Sequence, residues 1–152
     1  MDIKSMFLAS SGRISRRTWW FGTLMLIAAS LVINLVLALV GLGVSSWMPL
    51  IVYLLMIYPA YNLGLKRRHD RDNPGQDYLI LLAGSAVFTI LQSLGIGYSP
   101  VDLGNGFVGM MPDLWMSLLQ LAFAIFGIYM LVQLGFLKGT TGDNSYGPDP
   151  LA

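Results

Sequence analysis

The sequence predicts an all-α membrane protein: four transmembrane helices in a mainly antiparallel bundle, with both termini cytoplasmic. A short cytoplasmic N-terminal segment and an ordered polar C-terminal tail complete it. Three observations predict this class. The 152-residue chain is 55% hydrophobic and only 11% charged, with a mean hydropathy of +0.65. A soluble domain carries about 25% charged residues, so this chain lacks the polar side chains to cover a water-facing surface. Four long stretches contain no charge, and all nine Lys and Arg residues fall in the segments on one side of them.

The N-terminal segment, residues 1–18, opens with Ile3, Met6 and Phe7, which can share one face of a short interfacial helix. Gly12 breaks that element. Ser15 is placed to cap the next helix, with Thr18 where a capping box carries Glu or Gln. Trp19 and Trp20 mark the headgroup level, where an amphipathic ring is stable. The first span, 19–42, has 24 residues, roughly 36 Å at 1.5 Å per residue, enough to cross a core of about 30 Å with some tilt.

A short external loop, 43–46, leads to the second span, 47–65, whose 19 residues are near the minimum for crossing. Pro59 is expected to kink it and free a carbonyl that Tyr61 or Asn62 approaches. Lys66-Arg67-Arg68-His69-Asp70-Arg71-Asp72 follows, with four of the nine basic residues and the single histidine. Such a concentration of charge marks where the chain leaves lipid, so 66–77 is read as a cytoplasmic loop closed by the turn Asn73-Pro74-Gly75. The third span is 78–96 and the fourth 114–137. Between them lies the external loop 97–113, with a hairpin signal at Asn105-Gly106. The polar tail, 138–152, ends a chain read as one integral membrane domain.

Charge sets the orientation. The two external loops contain no Lys or Arg, so the positive-inside rule places the basic segments in the cytoplasm. No Asp, Glu, Lys, Arg or His lies inside a span, which argues against ion-coupled transport and proton relays. The polar span residues Asn34, Thr89, Gln92, Gln120 and Gln133 are expected to make interhelical hydrogen bonds of about 0.6–2 kcal/mol each. Gly84 and Gly127 are expected at close helix contacts. There is no cysteine, hence no disulfide or thiolate metal site. The net charge of +1 supplies no dense basic face for nucleic acid.

Three segments carry a more specific pattern. They are Gly12-Arg13-Ile14-Ser15-Arg16-Arg17-Thr18-Trp19-Trp20, then Lys66-Arg67-Arg68-His69-Asp70-Arg71-Asp72-Asn73-Pro74-Gly75, and finally Gly142-Asp143-Asn144-Ser145-Tyr146-Gly147-Pro148-Asp149-Pro150. In that order, around four apolar runs, they resemble the motifs of domain-of-unknown-function family 805 (DUF805), small bacterial inner-membrane proteins. The chain departs from the family pattern at Arg68, where Leu is common, at Gln76, where Trp is common, and at Thr18, where Glu is frequent. The resemblance implies a multi-pass protein of the bacterial inner (cytoplasmic) membrane and no defined activity.

All three segments fall on the predicted cytoplasmic face. The candidate cluster is Arg13, Arg16, Arg17, Lys66, Arg67, His69, Asp70, Gly75, Tyr146 and Asp149. We expect the tail to fold back, with Asp70 or Asp149 paired to an arginine of the first segment, as a lock across the helix ends. A sharper alternative is a pocket of Arg13, Arg17, Lys66 and Arg67 gripping a phosphate. The His69-Asp70 pair invites a metallohydrolase reading, but such sites need several further ligands and the chain has one histidine. The expected function is therefore a non-enzymatic membrane module without cofactor or metal. Its expected partners are the bilayer, anionic phospholipid headgroups, and a protein partner or second copy, with no nucleic acid. The alternative is a small transporter or channel subunit with a cavity between its helices.

Overall fold

The computed structural model describes residues 2–42, 45–106 and 108–151. Gly43 and Val44 of the first expected external loop, Phe107 of the second, Met1 and Ala152 lie outside the described residues. The chain is mostly helical: α1 (Ile3–Leu8), α2 (Arg16–Leu39), α3 (Met48–His69), α4 (Gln76–Ser93), a hairpin of β1 (Tyr98–Asp102) and β2 (Val108–Pro112), and α5 (Leu114–Leu131), which continues as π-helix over Val132–Phe136.

Local chemistry sets the boundaries. Ser15 caps α2 as expected, its hydroxyl accepting from Thr18 N at 3.3 Å and lying 3.0 Å from the Thr18 hydroxyl. The cap draws Arg16 and Arg17 into the first turn, so α2 begins three residues before the expected span. It also ends early, at a Schellman closure in which Gly41 N donates to Ala38 O and Leu42 N to Leu37 O. The same closure stops α4: Gly95 N donates to Gln92 O and Ile96 N to Leu91 O. Between β1 and β2, antiparallel with Tyr98 opposite Pro112, Asn105 and Gly106 take the positive φ of a hairpin turn.

Among the described residues, three helices are long and apolar enough to cross a membrane: Arg16–Leu39, Met48–His69 and Leu114–Phe136. The third expected span, 78–96, is corrected to a shorter helix. α4 has 18 residues, roughly 27 Å; it opens on the polar pair Gln76-Asp77, and Gly95 cuts it off before residue 96.

α3 is the hub, packing against α1, α2 and α4, while α4 packs on α5 and the π segment reaches α2 and α3. Burial runs opposite to that of a water-soluble protein. Phe21, Leu24, Leu31 and Leu35 of α2 and Leu121, Ile125 and Ile128 of α5 are exposed, while Arg13, Lys66, Arg67 and Asp70 are buried. Charged side chains are almost never fully buried unless paired, so the inversion calls for lipid around the apolar faces and dense pairing at the polar end.

The apolar core joins Met6, Ile14, Trp19, Leu63, Tyr78, Met130 and Leu134. Close approach at α3 depends on Gly64, where a Cβ would overlap the Tyr78 ring. The Tyr78 hydroxyl is fixed by its 2.8 Å bond to Ala60 O, so the ring cannot easily yield. Gly64→Ala is expected to cost about 1–3 kcal/mol through overpacking. Gly127→Ala, whose Cβ meets nothing within 4 Å, should be near neutral. Thermal denaturation in one detergent checks both, and equal effects would contradict the packing account.

Other expectations are corrected. Asn34 and Thr89 hydrogen-bond within their own helices, to Ser30 O and Ser85 O. Gln120 bridges to the Tyr98 hydroxyl of β1 at 2.7 Å, whereas Gln133 does bond between helices as expected, accepting from Arg68 of α3 at 3.0 Å. Asn62 does not serve the carbonyl freed by Pro59; its amide donates to Phe7 O at 2.7 Å. Gly127 faces open space instead of a helix contact.

Candidate functional site

The charge-rich segment 66–72 does not form a solvated loop. Lys66 to His69 are the last turn of α3, and every residue from Asn62 to Asp70 is buried. Cations suit this position because a helix C-terminus carries negative partial charge. What permits their burial is a set of backbone carbonyls brought to them by other elements.

The first set belongs to α1. The last four carbonyls of a helix have no partner within it. Tyr58, Asn62 and Lys66 recur every four residues along one face of α3 and meet those carbonyls in sequence. Lys66 Nζ donates to Ser5 O and, at 2.7 Å, to Met6 O; Asn62 Nδ2 donates to Phe7 O at 2.7 Å; the Tyr58 hydroxyl donates to Leu8 O at 3.0 Å. Asn62 Oδ1 stays buried without a partner among the described residues.

The second set lies where the π segment ends. Arg67, 0% exposed, donates through Nε to Leu134 O at 2.7 Å and through Nη2 to Leu137 O. Trp20 Nε1 takes Gly135 O at 3.1 Å and Arg16 Nη1 takes Phe136 O at 2.8 Å. Four consecutive carbonyls are again covered. Residues of α2 and α3 thereby hold the end of the last helix.

Asp70 joins these to the tail. Its carboxylate accepts from Arg67 Nη1 on one oxygen and from Arg13 Nε (3.2 Å) and Nη2 (3.1 Å) on the other. Arg13 also donates to Thr140 O (2.7 Å), Gly142 O (2.7 Å) and Gly147 O (3.1 Å), so the tail wraps its guanidinium. Gly139 packs so tightly on Asp70 that a Cβ there would overlap the carboxylate. His69 stacks on Tyr146, with ring centroids 3.9 Å apart and planes 6° apart. Its Nδ1 donates to Gly12 O at 3.2 Å, the carbonyl being able only to accept. Asn144 Nδ2 donates to His69 O at 2.9 Å.

A third knot ties α3 to α4 and α5. Arg68 binds Asp77 through two bonds of 3.1 and 2.6 Å and reaches Gln133 Oε1 at 3.0 Å, an oxygen that also accepts from Arg71. Fork-to-carboxylate geometry of this kind is the strong form of a charged hydrogen bond.

The structure therefore brings Arg13, Lys66, Arg67, His69, Asp70 and Tyr146 into one layer, with Arg16 at its rim. Gly75, at φ +78°, starts α4 and packs beside Leu65 and Arg68. Among the described residues Asp149 pairs with no arginine: it accepts from Leu151 N at 2.9 Å and Gly142 N at 3.0 Å, and these bonds hold its carboxyl below the usual range. Arg17 is exposed and apart from the layer. A phosphate grip by Arg13, Arg17, Lys66 and Arg67 is thus corrected, because three of the four are buried against carbonyls and Asp70. Sequence reasoning missed the roles of Tyr58, Asn62, Trp20, Asp77, Gln133 and Asn144. Only the first two carried a signal, the four-residue spacing with Lys66.

The segments that meet in this layer are 12–20, 66–75 and 142–150, each far from the others in sequence. A family model described as DUF805, protein of unknown function, matches residues 7–148, covering the first two segments whole and the third as far as Pro148. The chain belongs to the DUF805 family. No curated protein and no solved structure matches it. In this DUF805 protein, the departure at Arg68 is accommodated by Asp77 and Gln133, which supply the acceptors a leucine would not need.

Proposed function

We propose that this DUF805 protein is a non-enzymatic module of the bacterial inner membrane, crossing it four times with both termini cytoplasmic, and that it gathers anionic phospholipid around its basic end. One observation carries the reading: the basic residues divide into two populations. Arg13, Lys66, Arg67 and Arg68 are buried and bonded to carbonyls, Asp70 and Asp77. Arg16 and Arg71 at the rim join them, donating to Phe136 O and Gln133 Oε1, while Lys4, Arg17 and Lys138 are exposed around the layer. The first population braces the helix ends. The second faces outward at the level where the apolar helices begin, and each such cation adds about 1 kcal/mol of attraction to an anionic surface.

Arg17 has the most suitable surroundings. It rims an open cleft of about 290 Å3 whose other walls are Ile3, Met6, Thr18 and Phe21. A cation over an apolar floor matches a phosphate headgroup with its first methylenes. The transporter alternative has less support, since Asn34 and Thr89 bond within their own helices and do not converge on a polar path.

Native mass spectrometry of protein released from mixed phosphatidylglycerol and phosphatidylcholine membranes tests the proposal. The wild type should retain phosphatidylglycerol preferentially. Lys4→Gln, Arg17→Gln and Lys138→Gln combined should lower that retention several-fold without lowering thermal stability. Unchanged retention by the triple variant would sink it.

A further inference from the structure

Next to the polar layer, α2, α3, α4 and α5 flank an open cavity of about 310 Å3. Its walls include Leu26 of α2, Leu63 of α3, Leu81 of α4, and Gly127, Met130 and Leu131 of α5. The Tyr78 hydroxyl, which also borders it, is already bonded to Ala60 O. A cavity of this size has the volume of roughly ten water molecules in the liquid, but each buried water needs two to four polar partners. Apart from the Thr23 hydroxyl and the Trp19 and Tyr78 rings the lining is apolar, too few polar groups to hold that many. Apolar atoms facing an unfilled cleft lose their dispersion contacts, so an apolar occupant restores them.

The cavity has an outlet. Leu131 lines it and is 42% exposed, and α2 meets the last helix through the π segment at the polar end. The helices are therefore drawn together at the lock, and the side between α2 and α5 is open. Gly127 stands in this gap, where a Cβ would meet no atom within 4 Å.

We infer that this cavity is a binding site for a single hydrocarbon chain, admitted sideways from the surrounding medium between α2 and α5. The site rests on the membrane-spanning reading but not on the anionic-headgroup reading: its lining is apolar and indifferent to headgroup charge. The chain belongs either to a phospholipid or to a free fatty acid, which share the chemistry the walls recognise.

Photolabelling tests this in the full chain reconstituted into phosphatidylcholine vesicles. One arm carries a trace of phosphatidylcholine with a diazirine near the end of one acyl chain; the other carries a diazirine fatty acid. After illumination, labelled positions are mapped by peptide mass spectrometry. Leu26, Met130 and Leu131 should be labelled several-fold above the outward-facing Leu24 and Ile125. Gly127→Phe should abolish that excess and leave Leu24 and Ile125 unchanged, with Gly127→Leu as a smaller plug read the same way. The arm giving the excess identifies the source of the chain. Labelling of Leu26, Met130 and Leu131 no higher than the outward positions, or an excess insensitive to both plugs, overturns the inference. Loss of label at Leu24 and Ile125 in the wild type would instead overturn the membrane-spanning reading itself.

Discussion

Arg67→Ala should destabilise the protein by about 3–5 kcal/mol, the range for removing one partner of a buried ion pair. Arg67 is the largest fully buried side chain, and it holds the carbonyls of Leu134 and Leu137 together with the Asp70 carboxylate. Its removal leaves the buried Leu134 carbonyl without this donor and Asp70 with Arg13 alone, and an unsatisfied buried group costs about 1–3 kcal/mol by itself. Arg67→Lys separates charge from geometry. An ammonium can neutralise Asp70, but it lacks the planar fork that reaches two carbonyls and a carboxylate at once, so less than half of the loss should be recovered. Thermal denaturation in a mild detergent measures both variants. An alanine variant melting with the wild type would mean that the layer is solvated and the brace does not exist.

Arg13 and Asp70 should be energetically coupled. Each single alanine variant removes one side of a buried pair, with side chains only 1% and 5% exposed. In a double-mutant cycle the Arg13→Ala/Asp70→Ala protein should be less impaired than the two losses added together, by about 1–3 kcal/mol. Asp70→Ala should be the worse single change, because Arg67 then loses its counter-charge too. The readout is double: thermal stability, and protease cleavage of the tail, whose carbonyls at Thr140, Gly142 and Gly147 are gathered by Arg13. Arg13→Ala should expose the tail to cleavage while the helices remain folded. Strict additivity, with no change in cleavage, would leave the tail independent of the lock.

These two residues show how far the sequence could be read. That residues 12–20, 66–75 and 142–150 belong together was legible from their motifs, and the family match across residues 7–148 agrees. That Asp70 would pair with an arginine of the first segment was legible as complementary charge. Its fellow candidate Asp149 instead closes the tail on itself through Gly142 and Leu151. The two aspartates look alike in sequence. Only the path of the tail separates them.

The sequence by itself determined a mostly helical chain with long apolar helices, because lipid-facing surface needs only unbroken hydrophobicity, a property each residue carries alone. It also determined the cap at Ser15 and the hairpin at Asn105-Gly106, which depend on neighbours a few positions away. The tertiary structure alone decided that Lys66 to Asp70 is buried, within an unbroken buried run from Asn62, instead of a solvated loop. Burial of a cation depends on acceptors, and here they are backbone carbonyls from residues 5–8 and 134–137, which any amino acid supplies and no side-chain pattern announces. The same convergence draws the four helices together at one end and leaves the apolar cavity beside Gly127, where a glycine that reads as a packing residue faces open space.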